Sequence, residues 1–200
     1  MSSTEQTPIG TDVPSEHGAL LPRFARQNIA HQQEVGEPLP IASGLPEALT
    51  RPGAAFVSLH QGDVLRGCMG SLVPRQPLVR SVMDSALEAA FSDPRFDPVT
   101  REELDALTVK VAVLGEAEPL EVEHEAQLLE ELVPGEDGLI LHDGLRRATF
   151  LPAVWEGLPD PQEFLAQLKL KAGLPPDYWS RTLQFARYRS VTFTDTPRAP

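Results

Sequence analysis

Arg66 and Cys68 stand two residues apart in the run Val64-Leu65-Arg66-Gly67-Cys68-Met69-Gly70, and Cys68 is the one cysteine of the chain. In an extended strand this spacing puts Val64, Arg66, Cys68 and Gly70 on one face, with Leu65, Gly67 and Met69 on the other. A guanidinium beside a thiol favours the thiolate, which is the nucleophilic form of cysteine. Gly67 and Gly70 remove side chains where a ligand or a second backbone would come close. Two readings follow from the same residues. One is a reactive or ligand-contacting thiol beside an anion-binding arginine; the other is a small cysteine buried in a strand whose glycines allow close packing or a bulge. On the first, Cys68 alkylates in the native protein at a lower pH than a model thiol of pKa about 8.5; on the second, only after unfolding.

A cysteine nucleophile with a histidine base needs the imidazole within about 3 Å. If His60 pairs with Val64 across the turn, it sits roughly 13 Å from Cys68 along the strands and is too distant. His142 would approach only through tertiary folding. No histidine pair has metal-ligand spacing and no HExxH occurs, so no metal site is expected. Neither glycine-rich phosphate motif occurs, and no cofactor is implied. Asp93-Pro94-Arg95-Phe96 brings an acid and a base into one tight turn. These residues either extend the Arg66 patch into a pocket for anions or carboxylates, or serve the turn itself through an Asp–backbone bond, an ion pair and a core aromatic. Trp155, Trp179 and Tyr178 read as core or groove-lining aromatics rather than a platform for bases.

The elements that position these groups are legible in outline. Ala54–His60 and Val64–Gly70 read as a hairpin around Gln61-Gly62-Asp63. A helix over 77–91 follows, stopped by Asp93-Pro94, and Thr100-Arg101-Glu102-Glu103 opens a short helix with a capping box. Leu107 to Val113 alternate as a half-buried strand. A second hairpin, Gly138–His142 with Arg146–Leu151, precedes a helix over Pro161–Ala172 capped by Gly173. Leu183, Phe185, Val191 and Phe193 read as one extended closing segment. Upstream lie a helix between Glu16 and Glu34, a proline-rich meander over 36–53 with a short helical turn at 46–49, and, in the acidic stretch, a short helix over Glu125–Leu132. The order hairpin, helices, strand, then hairpin, helix, strand reads as a rough duplication and predicts an α+β fold with a mainly antiparallel sheet.

Two hundred residues with 41% hydrophobic and 23% charged side chains fit one compact domain with tails. The polar residues 1–17 are expected to be a disordered N-terminal tail and 194–200 a flexible C-terminal one. No apolar run is long enough to span a membrane, the start lacks the features of a secretory leader, and a single cysteine makes no internal disulfide, so a cytoplasmic location is expected. The net charge of −12 argues against nucleic acid as a partner. Ten acids and no Lys or Arg lie strictly between Lys110 and Arg146, which reads as a solvated surface with docking of a basic partner as the alternative.

The segment Leu65-Arg66-Gly67-Cys68-Met69-Gly70-Ser71-Leu72 resembles the hallmark of the AMMECR domain family, whose bacterial and archaeal members include the AmmeMemoRadiSam system protein A. That family usually reads Leu-Arg-Gly-Cys-Ile-Gly there. Further similar segments occur in order: Phe56-Val57-Ser58-Leu59, Phe91-Ser92-Asp93-Pro94-Arg95-Phe96, Gly138-Leu139-Ile140-Leu141, Leu151-Pro152, Val154-Trp155 and Lys171-Ala172-Gly173-Leu174. The resemblance covers about 18 to 193; Met69 in place of Ile and Ala153 where Gln often follows Leu-Pro are departures. It implies one AMMECR-type domain over 18–193, built of two related β-α-β repeats that share one barrel-like sheet. It also implies an accessory or binding component linked with Memo-type and radical S-adenosylmethionine proteins, with an enzyme using Cys68 as the alternative. The candidate site is then Cys68 as nucleophile, with Arg66, Gly67, Gly70, Ser71, Asp93 and Arg95 as ligand-binding residues for a small molecule.

Overall fold

The computed structural model describes residues 13–197; residues 1–12, most of the expected N-terminal tail, and 198–200 lie outside the described residues. The chain divides into two compact units, one of residues 13–114 with 191–197 and one of residues 115–190.

The first unit opens with α1 (Ser15–Gly18) and α2 (Leu21–Val35). Ser15–Gly18 is thus helical within the stretch expected as tail. Leu21, Ala25, Asn28 and Ile29 form the buried stripe of α2, Pro22 is tolerated in its first turn, and Gly36 closes it at φ 81°. After α3 (Glu47–Thr50), β1 (Ala54–Gln61) and β2 (Val64–Ser71) form the expected hairpin. α4 (Leu78–Phe91), α5 (Arg101–Leu104) and β3 (Thr108–Leu114) complete the run. α5 carries the full capping box between Thr100 and Glu103.

The sheet of this unit has the order β2-β1-β3-β8, where β8 is Ser190–Asp195. Ala55, Val57 and Leu59 of β1 and Val109, Val111 and Val113 of β3 point into one core with Val79, Val82, Met83 and Ala86 of α4. Each of these valine, leucine and methionine side chains contributes about 1.5 to 3 kcal/mol on burial. The fully buried Asn28 ties the layers together: its Nδ2 donates to the Met83 carbonyl at 2.9 Å and its Oδ1 accepts from the Leu39 N–H at 2.7 Å. Arg26 donates to the Leu104 and Leu107 carbonyls, both at 2.6 Å, and to the Asp195 carboxylate at 2.5 Å. The strand therefore continues through Thr194 and Asp195, which the sequence reading had placed in a flexible tail.

The second unit contains β4 (Glu118–Leu120), α6 (Glu125–Glu131), the hairpin β5 (Gly138–Asp143) and β6 (Arg146–Phe150), a 3-10 turn at Pro152–Glu156, α7 (Pro161–Lys171) and β7 (Gln184–Tyr188). Its sheet has the order β4-β7-β5-β6. Trp155 stacks on Phe164 with ring centroids 3.7 Å apart, and its Nε1 donates to the Asp137 carbonyl at 2.7 Å, so it is a core residue. The acidic stretch is not merely solvated: Glu125 pairs with the fully buried Lys169 at 2.5 Å, Glu118 with Arg187 at 3.4 Å and Glu136 with Arg189 at 3.0 Å.

The fold is α+β, and the ladders β1–β2, β1–β3, β4–β7, β5–β6 and β5–β7 are all antiparallel. The duplication is visible in the strand orders, since each sheet runs from the returning hairpin strand through the first hairpin strand to the strand after the helix. The single barrel-like sheet is a correction: the strands form two open four-stranded sheets. The closing segment accounts for it. It is two strands, β7 and β8, separated at Arg189 and paired in different sheets.

Candidate functional site

β2 is an edge strand, and an edge presents backbone groups that need partners. At Cys68 the turn after α4 supplies them. The Cys68 N–H donates to Asp93 Oδ2 at 2.9 Å, and Arg95 Nη2 reaches the Cys68 carbonyl at 3.4 Å. Arg95 also donates from Nε to Asp93 Oδ1 at 2.9 Å, from Nη2 to Oδ2 at 2.7 Å, and from its own N–H to Oδ1 at 3.1 Å. The Asp93 side chain is 2% exposed while that of Arg95 is 55% exposed. The Arg95 bonds, with help from the Cys68 N–H, hold the Asp93 carboxyl far below the usual carboxylate range despite its burial. Asp93 in turn raises Arg95, and a Cys68 thiolate adds to that effect. By reciprocity Arg95 favours the thiolate. Cys68 itself is half-buried and makes no disulfide.

Arg66 has a different place from the one its spacing predicts. A bulge between Leu59 and His60 makes Leu59 pair with Gly67 and His60 with Leu65, so Arg66 is the extra residue and strict alternation fails there. Its guanidinium is bidentate on Glu103, at 3.0 and 3.2 Å, and donates to the Asp97 carbonyl at 2.8 Å. These bonds lower the Glu103 pKa. Arg95, by contrast, is coupled to Cys68. Phe96 lies against both arginines, with its ring centroid 5.3 Å from the Arg95 guanidinium and 6.0 Å from that of Arg66.

The glycines serve packing. A Cβ at Gly67 would sit 2.2 Å from the Ala89 carbonyl oxygen of α4, and one at Gly70 would meet the Ala55 oxygen at 2.5 Å. Of the two expected neighbours, a ligand or a second backbone, the structure places backbone at Gly67, and at Gly70 backbone together with the Phe56 ring. Ser71 is exposed at the end of β2, and its Oγ accepts the Val73 N–H at 3.1 Å in a local turn.

The register also corrects the distance assigned to His60. Ser58 stands directly opposite Cys68 on β1, and Lys110 stands opposite Ser58 on β3. His60 is two residues from Ser58 on the same outward face, and its Nε2 lies 3.0 Å from Ser58 Oγ. A diagonal neighbour across a ladder is about 7 to 8 Å away, roughly half the expected span and still beyond the reach of a direct hydrogen bond. Burial, then Lys110, lowers the His60 pKa against the opposing pull of Asp63. Ser58, Lys110 and Glu103 are the site residues that the sequence reading missed; the hairpin register was the signal that would have found Ser58. His142 is exposed on β5 of the second unit, opposite Arg147 and Gln184. Among the described residues no cluster of His, Cys, Asp and Glu could hold a metal ion. No helix among them is long and apolar enough to cross a membrane.

A half-buried thiol on a capped edge strand, with a clamped guanidinium beside it and a hydroxyl opposite, is the arrangement to compare with known proteins. The AMMECR1 family profile matches residues 22–193. The chain belongs to the AMMECR1 family. Relatives of this AMMECR1 protein include Protein MJ0810 of Methanocaldococcus jannaschii, 40% identical over 188 residues that cover 90% of each chain. A protein of Aeropyrum pernix is 42% identical over 192 residues, covering 92% of this chain and 81% of its own. The crystal structure of the uncharacterized protein PH0010 from Pyrococcus horikoshii superposes with a TM-score of 0.88 at 34% identity, covering 94% of this chain and 96% of that one. In this AMMECR1 protein Met69 packs partly buried against the first core, and Ala153 is exposed in the 3-10 turn.

Proposed function

We propose that this AMMECR1 protein is an accessory binding component whose contact site is the Cys68 thiol with the outer edge of Arg95. In this reading it works in the cytoplasm with Memo-type and radical S-adenosylmethionine proteins. The observation that carries the site is the double attachment of Asp93, which fixes the Cys68 backbone and the Arg95 guanidinium to one buried carboxylate. Arg95 commits Nε and Nη2 to that carboxylate and keeps Nη1 for an acceptor on a partner or ligand, with no side-chain ordering left to lose on binding. The named partners rest on the family resemblance.

A second reading, an enzyme with Cys68 as nucleophile, draws support from one observation: the residue facing Cys68 across the ladder, Ser58, is hydrogen-bonded to His60. Affinity capture of the tagged protein from its source organism separates the two. Recovery of a Memo-type or radical S-adenosylmethionine protein is the outcome expected. Repeated recovery of the protein alone with covalent adducts on Cys68 would favour the enzyme.

A further inference from the structure

The outward face of the first sheet carries a set of groups that the Arg95 site does not use. Ala55, Val57 and Leu59 of β1 are fully buried, so Phe56, Ser58 and His60 take the other face; on β3, with Val109 and Val111 buried, Thr108, Lys110 and Ala112 do the same. The ladders line these up in rows: Gly70, Phe56 and Ala112; Cys68, Ser58 and Lys110; and, past the bulge, Leu65, His60 and Thr108. No carboxylate stands on these rows, in a chain of net charge −12. Two acids lie near these rows. Asp93 is engaged by Arg95, and Asp63 lies in the hairpin turn, where it acts on His60 against the stronger effect of Lys110.

Lys110 is exposed, and no ion pair engages it among the described residues. Cys68 therefore lies between two cations, Arg95 at the strand edge and Lys110 two strands inward. In the His60 tautomer that carries its proton on Nε2, the imidazole donates to Ser58 Oγ and leaves the Ser58 hydroxyl hydrogen to an acceptor on the same face. One ammonium, one hydroxyl donor and one half-exposed guanidinium match a monoanion. No backbone nest or helix N-terminus is present on the rows to take the higher charge of a phosphate.

We propose that this face is the binding subsite for a small carboxylic acid, held by Lys110 and Ser58 so that its body lies beside Cys68. The proposal rests on the reading of Cys68 as an accessible site and adds the ligand class.

The test compares two alkylating reagents of nearly equal size on the full chain. Iodoacetate carries a carboxylate and iodoacetamide is its neutral counterpart; in both, the Cys68 sulfur displaces iodide to form a C–S bond. The ratio of the two rates at Cys68 is expected to exceed that of a cysteine peptide. Lys110→Glu is expected to lower the ratio by about twofold to fivefold, the range an exposed charge pair supplies, the iodoacetamide rate serving as the control for any change in the thiolate fraction. Ser58→Ala lowers it less. A ratio equal to the peptide's and indifferent to Lys110→Glu overturns the carboxylate subsite and leaves Cys68 accessible. If neither reagent modifies the folded protein, the accessible-site reading fails, and a titration with sodium propionate followed by backbone amide shifts decides the subsite. Shifts confined to residues 58, 60, 68 and 110, and lost in Lys110→Glu, support it; no shifts at those positions overturn it.

Discussion

Asp93 holds Cys68 through the backbone: a carboxylate 2% exposed accepts the N–H of an edge-strand residue at 2.9 Å and is neutralised by Arg95 at 2.7 Å. The turn after α4 thereby does for the edge of β2 what a fifth strand would do. It also brings a cation coupled to the thiol.

Replacing Asp93 with alanine removes that cap and leaves the Cys68 N–H without its partner. Charge-assisted bonds of this kind contribute about 1.5 to 3 kcal/mol, and the expected loss of stability is about 2 to 4 kcal/mol. Urea unfolding of the variant checks this; a loss under about 0.5 kcal/mol would show that the clamp is incidental.

The same pair gives a pH signature with a definite sign. The Asp93 carboxyl is held well below its ordinary value in the folded chain, so the unfolded state binds the proton first. Its contribution is complete above about pH 4 and is lost as pH falls below that towards the folded value. Glu103, lowered mainly by Arg66, acts in the same direction. Asp93→Asn is therefore expected to flatten the fall of the urea midpoint between pH 4 and 2.5, while wild-type protein declines steeply.

Gly67 tests whether packing or ligand access fixed that residue. An alanine Cβ would lie 2.2 Å from a main-chain oxygen of α4, which cannot swing aside as a side chain could. Gly67→Ala is expected to cost about 3 kcal/mol or more, read as a drop in melting temperature. Gly62→Ala has open space around it and only the strain of φ 60°, so about 1 kcal/mol is expected.

How much of this was legible follows from what a sequence pattern encodes. The first hairpin, α4, the capping box at Thr100 and the helix after Asp160 were readable because periodicity, turn glycines and capping residues are local signals. The site was readable in part: Cys68, Asp93 and Arg95 do converge. Arg66 was misplaced because a bulge has no periodic signature and shifts one residue out of alternation. The distance of His60 was overestimated for a related reason. Counting pairs from a three-residue turn sets Phe56 against Cys68, whereas the actual Gly62-Asp63 turn and the bulge each advance the register by one and bring in Ser58. β4 escaped notice because Glu-Pro-Leu is too short to alternate. The two strands of the closing segment looked like one because pairing in different sheets leaves no mark on composition.

Alkylation of Cys68 in the folded protein by iodoacetamide, followed by mass spectrometry across pH, tests the central claim most directly. The account predicts modification under native conditions, with a pH midpoint that rises in Arg95→Gln and is retained in Arg95→Lys. A thiol that stays unmodified up to pH 9 until the protein is unfolded would contradict it.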